Sequence, residues 1–193
     1  MSSVGIVGAG PAGVFAALSV RDFFNTDVVV FDWQEPLTTL FPTGGGRCNF
    51  SYFETDVKTF AGYYPRGSKF LLSGLTRFGM NDTVDYFEAI GIKSYVQNDN
   101  RIFPISDSAK TTAEILLHRG NILGIKFKKE RVNNIFNNGQ KFILSTENGD
   151  YEFDKIILAS GGKNFKLARK FGHKIISPRF TLAPLEIAEK CYY

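Results

Sequence analysis

Residues 3 to 32 constrain this chain more than any other stretch. Ser3-Val4-Gly5-Ile6-Val7 reads as a short buried strand. Gly8-Ala9-Gly10-Pro11-Ala12-Gly13 is a tight turn, and Val14 to Phe24 reads as a helix. Asp27-Val28-Val29-Val30-Phe31 is a second buried strand that ends at Asp32. A glycine-patterned turn between strand and helix, followed by a strand with a terminal acid, is the β-α-β unit that holds a dinucleotide. Gly8 permits the sharp exit from the strand, Gly10 lets backbone approach a pyrophosphate, and Gly13 lets the helix pack closely on the strand. The helix N-terminus adds free N–H groups and a partial positive charge. Asp32 stands 24 residues after Gly8, where a carboxylate can accept from ribose hydroxyls. An acid rather than Arg or Lys there argues against a 2′-phosphate, so FAD or NAD is favoured over NADP.

The 193 residues suffice for one well-buried domain or two small ones, and 44% hydrophobic with 22% charged is ordinary for a globular protein. The net charge of +4 is mild. The late basic cluster (Lys163, Lys166, Arg169, Lys170, Lys174, Arg179) reads as a solvated helix face, so no nucleic-acid partner is expected. Cys48 and Cys191 are far apart, which excludes a local redox dithiol and a four-cysteine zinc site, and no metal is expected. A reduced, cytoplasmic setting fits. No stretch approaches the ~20 apolar residues of a membrane span.

After Asp32 comes a long stretch read as irregular, Trp33 to Gly67. Its centre is Thr43-Gly44-Gly45-Gly46-Arg47-Cys48-Asn49-Phe50-Ser51. The glycines let main chain pass close to a ligand. Arg47 offers a planar fork suited to phosphate, and Asn49 can both donate and accept. On residue chemistry alone, a binding loop and a flexible surface loop with an incidental Arg weigh equally. Ser68 to Phe78 and Asp82 to Ile90 read as helices, with Phe70, Leu71, Leu75 and Phe78, and Val84, Phe87 and Ile90, as core-facing stripes. Asn81 is the expected N-cap of the second. Short strands are expected at 94–96, 101–103 and 124–127, with a helix capped by Asp107 or Ser108 running to about His118. His118 and His173 lack partners in sequence and read as surface or satisfied residues. A three-stranded meander follows: Glu130 to Phe136, Lys141 to Thr146 and Tyr151 to Phe153. Its expected turns contain Asn138-Gly139 and Asn148-Gly149, both residues tolerating positive φ. Lys155 to Ala159 is a buried strand leading into Ser160-Gly161-Gly162; Phe165 to Phe171 reads as a short helix and His173 to Ile176 as a last strand.

This order resembles the two-dinucleotide-binding-domain flavoproteins related to glutathione reductase, and within them the aminoacetone oxidase and dehydro-bile-acid reductase type. The Thr43 to Asn49 run carries the resemblance, supported by Arg101-Ile102-Phe103-Pro104, Ser106 to Ala109, Ala159 to Gly162, Gly172-His173 and Leu182-Ala183-Pro184-Leu185. It covers nearly the whole chain. It implies an α/β, Rossmann-like FAD/NAD(P)-binding domain with a parallel sheet and a β-meander, acting as an FAD-dependent oxidoreductase on an unknown small molecule, with NAD(P)H as a further candidate electron donor. Gly8, Gly10, Gly13 and the amides flanking Pro11, Ala12 among them, would hold the FAD pyrophosphate, and Asp32 the adenosine ribose. Gly45, Gly46, Arg47, Cys48 and Asn49 would line the path from pyrophosphate to flavin. Val132 would pair its backbone with the adenine edge, and Ala159, Ser160, Gly161 and Gly162 would pack by the cofactor. Cys48 in this reading is a packing residue, not a nucleophile.

Members of that family run to about twice this length, so residues 1–193 are expected to form a single FAD-binding domain lacking the inserted substrate domain and the late FAD segment. The link from Gly162 to Gly172 is short, and Leu37-Thr38-Thr39-Leu40 replaces a lysine-containing approach to the glycine run. The adenine and pyrophosphate half is therefore expected to be intact and the isoalloxazine half incomplete. Three readings follow: an FAD oxidoreductase or its N-terminal portion, a non-catalytic dinucleotide-binding remnant, or a subunit whose site is completed by a homo-oligomer or partner chain. No side chain stands out as a catalytic acid or base.

Overall fold

The computed structural model describes residues 2–163 and 165–177. The chain divides into two units, residues 1–161 and 162–193.

The first unit is built on a parallel sheet of β1 (Ser3–Val7), β2 (Asp27–Asp32), β6 (Lys126–Lys129) and β10 (Lys155–Leu158), in the order β10-β1-β2-β6. Alternation along the strands divides their side chains between two faces. Val4, Ile6, Val28 and Val30 join α1 (Pro11–Phe23) and α5 (Ala109–Ile122) in one core through Val14, Ala17, Leu18, Ala113 and Leu116. On the other face lies the antiparallel meander of β7 (Asn134–Asn137), β8 (Phe142–Thr146) and β9 (Gly149–Phe153). Its Phe153 ring lies so close to Gly5 that a Cβ there would stand 2.6 Å from it. Phe31 packs against Tyr151 and Phe153, with ring centroids 5.1 and 5.9 Å away. Asp154 ties the meander to the start of β1: its carboxylate accepts from Ser3 N at 2.7 Å and Ser3 Oγ at 3.0 Å.

The stretch expected to be irregular is partly ordered. It holds 3-10 turns at Thr38–Leu40 and Thr43–Gly46, β3 (Ser51–Tyr52) and α2 (Val57–Gly62), whose N-cap Asp56 accepts from Thr59 N at 2.8 Å. β3, β4 (Ser94–Val96) and β5 (Arg101–Pro104) form a second antiparallel sheet, ordered β3-β5-β4.

Several expectations need correction. α3 (Ser68–Arg77) forms, but it buries no residue, and Phe70 is 86% exposed. Phe70 therefore faces outward, while Leu71 and Leu75 are half-buried and Phe78, just past the helix, meets Phe15 at 5.6 Å. α4 (Met80–Ala89) starts earlier than expected, with Gly79 as its N-cap. Asn81 is inside it, and Asp82 reaches back to accept from Gly79 N at 2.7 Å. The meander starts at Asn134, not Glu130. The preceding segment is tied instead by the inward-turned Glu130, which accepts from Thr146 (2.8 Å), Tyr151 (3.1 Å) and Lys128 (3.3 Å). The β8–β9 turn centres on Glu147-Asn148, because Thr146 already pairs with Gly149. Gly139 and Gly149 take positive φ, but Asn138 and Asn148 do not. Asn138 shapes its turn with its side chain, accepting from Gln140 N and Lys141 N.

In the second unit α6 spans Phe165–Lys170 and ends at Gly172 with φ +80°. Residues 173–177 form no strand, contrary to expectation. Leu182 to Leu185, Arg179 and Cys191 lie outside the described residues.

Candidate functional site

β1, β2 and β10 end level, with Val7 paired to both Phe31 and Leu158. The residues that follow (Gly8, Asp32, Ala159) therefore meet at the carboxyl edge of the sheet, where open α/β sheets bind ligands. Gly8 N donates to Phe31 O at 2.8 Å and Ala159 N to Val7 O at 2.8 Å, which fixes the turn between its neighbours.

The three turn glycines have different reasons to be glycine. Gly8 has φ +109°, and a Cβ on it would stand 2.4 Å from Ala159 O. A Cβ on Gly13 would stand 1.8 Å from Gly8 O. Both positions are closed by the protein's own backbone. Gly10 differs: its φ is −73°, and a Cβ would meet only Thr39 Oγ1 at 3.4 Å. That open side is where a phosphate can approach. α1 has no side-chain cap and no acid in its first turn, so its N-terminal amides stay available to an anion. Pro11 carries no N–H, which leaves Ala12 and Gly13 as the first donors.

Asp32 is not idle. One oxygen accepts from Ala9 N at 2.7 Å and the other from Gln34 N at 3.1 Å. Each carboxylate oxygen keeps a further lone pair for a ribose hydroxyl. Val132 lies two residues before β7, side chain buried and backbone outside the strand ladder. The adjoining Arg131 sits over the Trp33 ring, 5.1 Å from its centroid, and Lys129 pairs with Glu35 at 2.6 Å. These contacts bring the segment before β7 beside the end of β2. The sequence reading missed Trp33, Arg131 and Thr39, because no local spacing links them to the turn.

The glycine loop is built by backbone geometry. Gly44, Gly45 and Gly46 have φ of +59°, +68° and +86°. A Cβ on Gly44 would crowd Asn49 N and the Phe103 ring, both at 2.8 Å, whereas Gly45 faces open space. Leu37 N donates to Ala9 O at 2.8 Å, anchoring the approach to the loop onto the nucleotide turn. Arg47 is not presented as a free phosphate fork. It donates to Gly44 O (3.2 Å) and Gln97 Oε1 (3.0 Å) and lies over Phe103, 4.1 Å from the ring centroid. Asn49, with its amide nitrogen toward Ser51 O and Ile102 O, donates to both, at 2.7 and 3.1 Å. Cys48 is buried, and burial pushes its thiol pKa up against the opposing pull of Thr112 and Thr43. It is a poor nucleophile in this state. Pro11, Cys48 and Asn49 border one cavity of about 380 Å³, so turn and loop share a wall.

The backbone of Ala159 and Ser160 lies against Gly8, and Ala159 Cβ faces Gly13. Gly161 is exposed at the end of the first unit; Gly162, also exposed, opens the second.

A glycine turn at the carboxyl edge of a parallel sheet, with helix amides and an acid around it, defines a dinucleotide-binding domain of Rossmann type. The chain belongs to the HI0933-like protein Rossmann domain family, whose pattern matches residues 2–180. It is 27% identical over 188 residues to a 3-dehydro-bile acid delta(4,6)-reductase of Clostridium scindens, covering 91% of this chain and 45% of that protein. It is 23% identical over 193 residues to a ribosomal RNA dihydrouridine synthase of Escherichia coli, covering 94% and 47%. The chain thus spans about half the length of these relatives. Among solved structures, glycine oxidase from Geobacillus kaustophilus superposes with a TM-score of 0.53 at 16% identity, covering 89% of this chain and 59% of that one, which establishes the shared fold. The family membership supports FAD as the dinucleotide. Among the described residues no helix is long and apolar enough to cross a membrane.

Proposed function

We propose that this chain binds FAD and forms the nucleotide-binding part of a flavin-dependent oxidoreductase. The observation that carries this reading is the contrast among the turn glycines: Gly8 and Gly13 are closed by backbone, while Gly10 is open beside helix amides that no side chain caps. The Ala12 and Gly13 amides would hold the pyrophosphate at Gly10, and Asp32 would accept from the adenosine ribose while keeping its bond to Ala9 N. Val132 would offer its peptide groups to the adenine edge. Gly45 and Gly46 would let the ribityl chain pass, with Arg47, Cys48 and Asn49 holding the loop in shape. Ala159, Ser160 and Gly161 would wall the turn. FAD, when bound, supplies two-electron exchange with the substrate, and the protein supplies position and electrostatics.

Both curated relatives are named for reactions that change the saturation of a ring carbon–carbon bond. Reduction of such a bond in a small molecule, with NAD(P)H as electron donor and in a reducing cytoplasm, is the activity we assign to the complete protein. The half-length match favours a second element of the reading: the isoalloxazine end is completed by further polypeptide. Purified protein reconstituted with FAD is expected to keep the flavin absorption bands through gel filtration. Colourless protein that takes up no FAD would overturn the assignment.

A further inference from the structure

The cavity bordering the nucleotide turn has a wall chemistry of its own. It lies in the first unit between α1, α4, α5 and the glycine loop, and its volume of about 380 Å³ is in the range of small-molecule sites. Phe15, Phe50, Phe78, Phe87, Leu40 and Leu116 supply its apolar surface. Phe50 and Phe87 are stacked at 4.5 Å with planes 2° apart, and Phe15 meets Phe78 edge-on at 5.6 Å. These flat walls suit a ring.

Apart from the Cys48 thiol, a weak donor that hydrogen-bonds with Thr112 and Thr43, the polar groups in the wall have their protons committed. Thr43 Oγ1 donates to Leu40 O at 2.6 Å, Thr83 Oγ1 to Gly79 O at 2.7 Å, and Thr112 Oγ1 to Ser108 O at 3.1 Å. The Asn49 amide nitrogen is spent on Ser51 O and Ile102 O. The oxygens of these four side chains keep lone pairs, so the wall accepts hydrogen bonds and offers few. No charged side chain lines it, so an anion would be desolvated there without a counter-ion.

We propose that this cavity is a ligand site for a small neutral ring molecule whose hydrogen-bonding group is a donor, a hydroxyl or N–H, and that the dinucleotide does not fill it, although the two sites share the wall at Pro11, Cys48 and Asn49. Anions, and rings that carry only carbonyl acceptors, are excluded by the same wall. The proposal does not rest on FAD being the nucleotide.

The test uses the full chain, p-cresol as the neutral donor-bearing probe, benzoate as the anion and toluene as the ring without a donor. Amide NMR titration is expected to show saturable p-cresol shifts at Phe15, Thr83, Thr112 and Leu116, with benzoate at least about tenfold weaker. Thr83→Phe, on the half-buried face of α4, fills the cavity and is expected to abolish p-cresol binding. Thr112→Val keeps the volume, removes one acceptor, and is expected to weaken p-cresol about threefold or more while leaving toluene unchanged. This second variant tests the wall even if the first fails to fold. Equal binding of benzoate, p-cresol shifts elsewhere, or unaltered p-cresol affinity in both variants would overturn the proposal. So would displacement of p-cresol by FAD, which would make the cavity part of the flavin site. Failure of FAD binding with p-cresol binding intact would instead sink the cofactor reading and leave this one standing.

Discussion

Gly13→Ala isolates the packing of α1 on the nucleotide turn. The added methyl would stand 1.8 Å from Gly8 O, 2.9 Å from Gly8 C and 3.3 Å from Ala159 Cβ. An ordinary carbon–oxygen contact is about 3.3 Å or longer, so the helix must retreat by more than about 1 Å. Neither obstacle at Gly8 is a flexible side chain. Retreat loosens Val14, Ala17 and Leu18, which α1 buries fully. Alanine recovers about 1 kcal/mol of helix propensity, and overpacking costs about 3 kcal/mol where backbone must move, so the net loss is about 2 kcal/mol. For a chain of this size that lowers Tm by about 4–8 °C in apo protein. Gly10→Ala is the control. Its φ of −73° suits any residue, and the methyl meets only Thr39 Oγ1 at 3.4 Å. Alanine is a poorer N-cap than glycine by about 0.5–1 kcal/mol, so Tm falls by no more than about 4 °C. The same methyl stands where a phosphate approaches, and FAD affinity is expected to fall at least about tenfold, a loss of roughly 1.4 kcal/mol or more. Circular-dichroism melts of apo protein and FAD titration by flavin fluorescence separate the two effects. A Gly13→Ala protein that melts like wild type would refute the close packing, and unchanged FAD affinity in Gly10→Ala would refute the placement of the pyrophosphate.

The Asp154 carboxyl is held below its ordinary pKa of 3.8, chiefly by the Ser3 backbone N–H and then the Ser3 hydroxyl. Its folded value is depressed, so its contribution is present above pH 3.8 and lost as pH falls through the folded value; the Tm gap between wild type and Asp154→Asn is expected to be full at neutral pH and to close on acidification. A gap that does not vary with pH would refute the charge-assisted role. Phe70→Asp is expected to shift stability by no more than about 0.5 kcal/mol in urea unfolding, since Phe70 touches no core. A larger loss would mean that α3 is covered in solution. In a Cys191→Ser background, iodoacetamide is expected to modify Cys48 at least about tenfold more slowly in the folded than in the unfolded protein, because burial both shields the thiol and raises its pKa. Equal rates would refute the buried placement.

The sequence was most legible where constraints are local. The β1–α1–β2 unit could be read to within a residue or two at its strands because glycine spacing, apolar runs and the terminal acid all act within thirty positions. The meander and its turns were legible, but not the register: the Thr146–Gly149 turn contains Asn148-Gly149, yet pairing of Thr146 with Gly149 puts Glu147-Asn148 at its centre. α3 shows the limit of periodicity, since an apolar face at helical spacing says nothing of what covers it, and here Phe70 faces outward. Arg47 shows the limit of residue chemistry. A guanidinium beside a glycine run suits phosphate, but the left-handed glycines turn the loop so that it lies on Phe103 and bonds Gln97, about fifty residues away in the chain.

Asp32 joins these limits to function. Its place at the end of β2 could be read from the sequence, but its bond to Ala9 N could not. That bond ties the end of β2 to the second turn residue, and Gly8 N ties the same turn to Phe31 O. Two links from one strand end thus hold Ala9 and Gly8 in place before any ligand arrives. Pre-organisation of this kind lowers the ordering cost of binding. In the proposed FAD site the acid would therefore act on the phosphate end as well as the ribose end. Its removal should loosen the turn in the apo protein, not only weaken contact with the sugar.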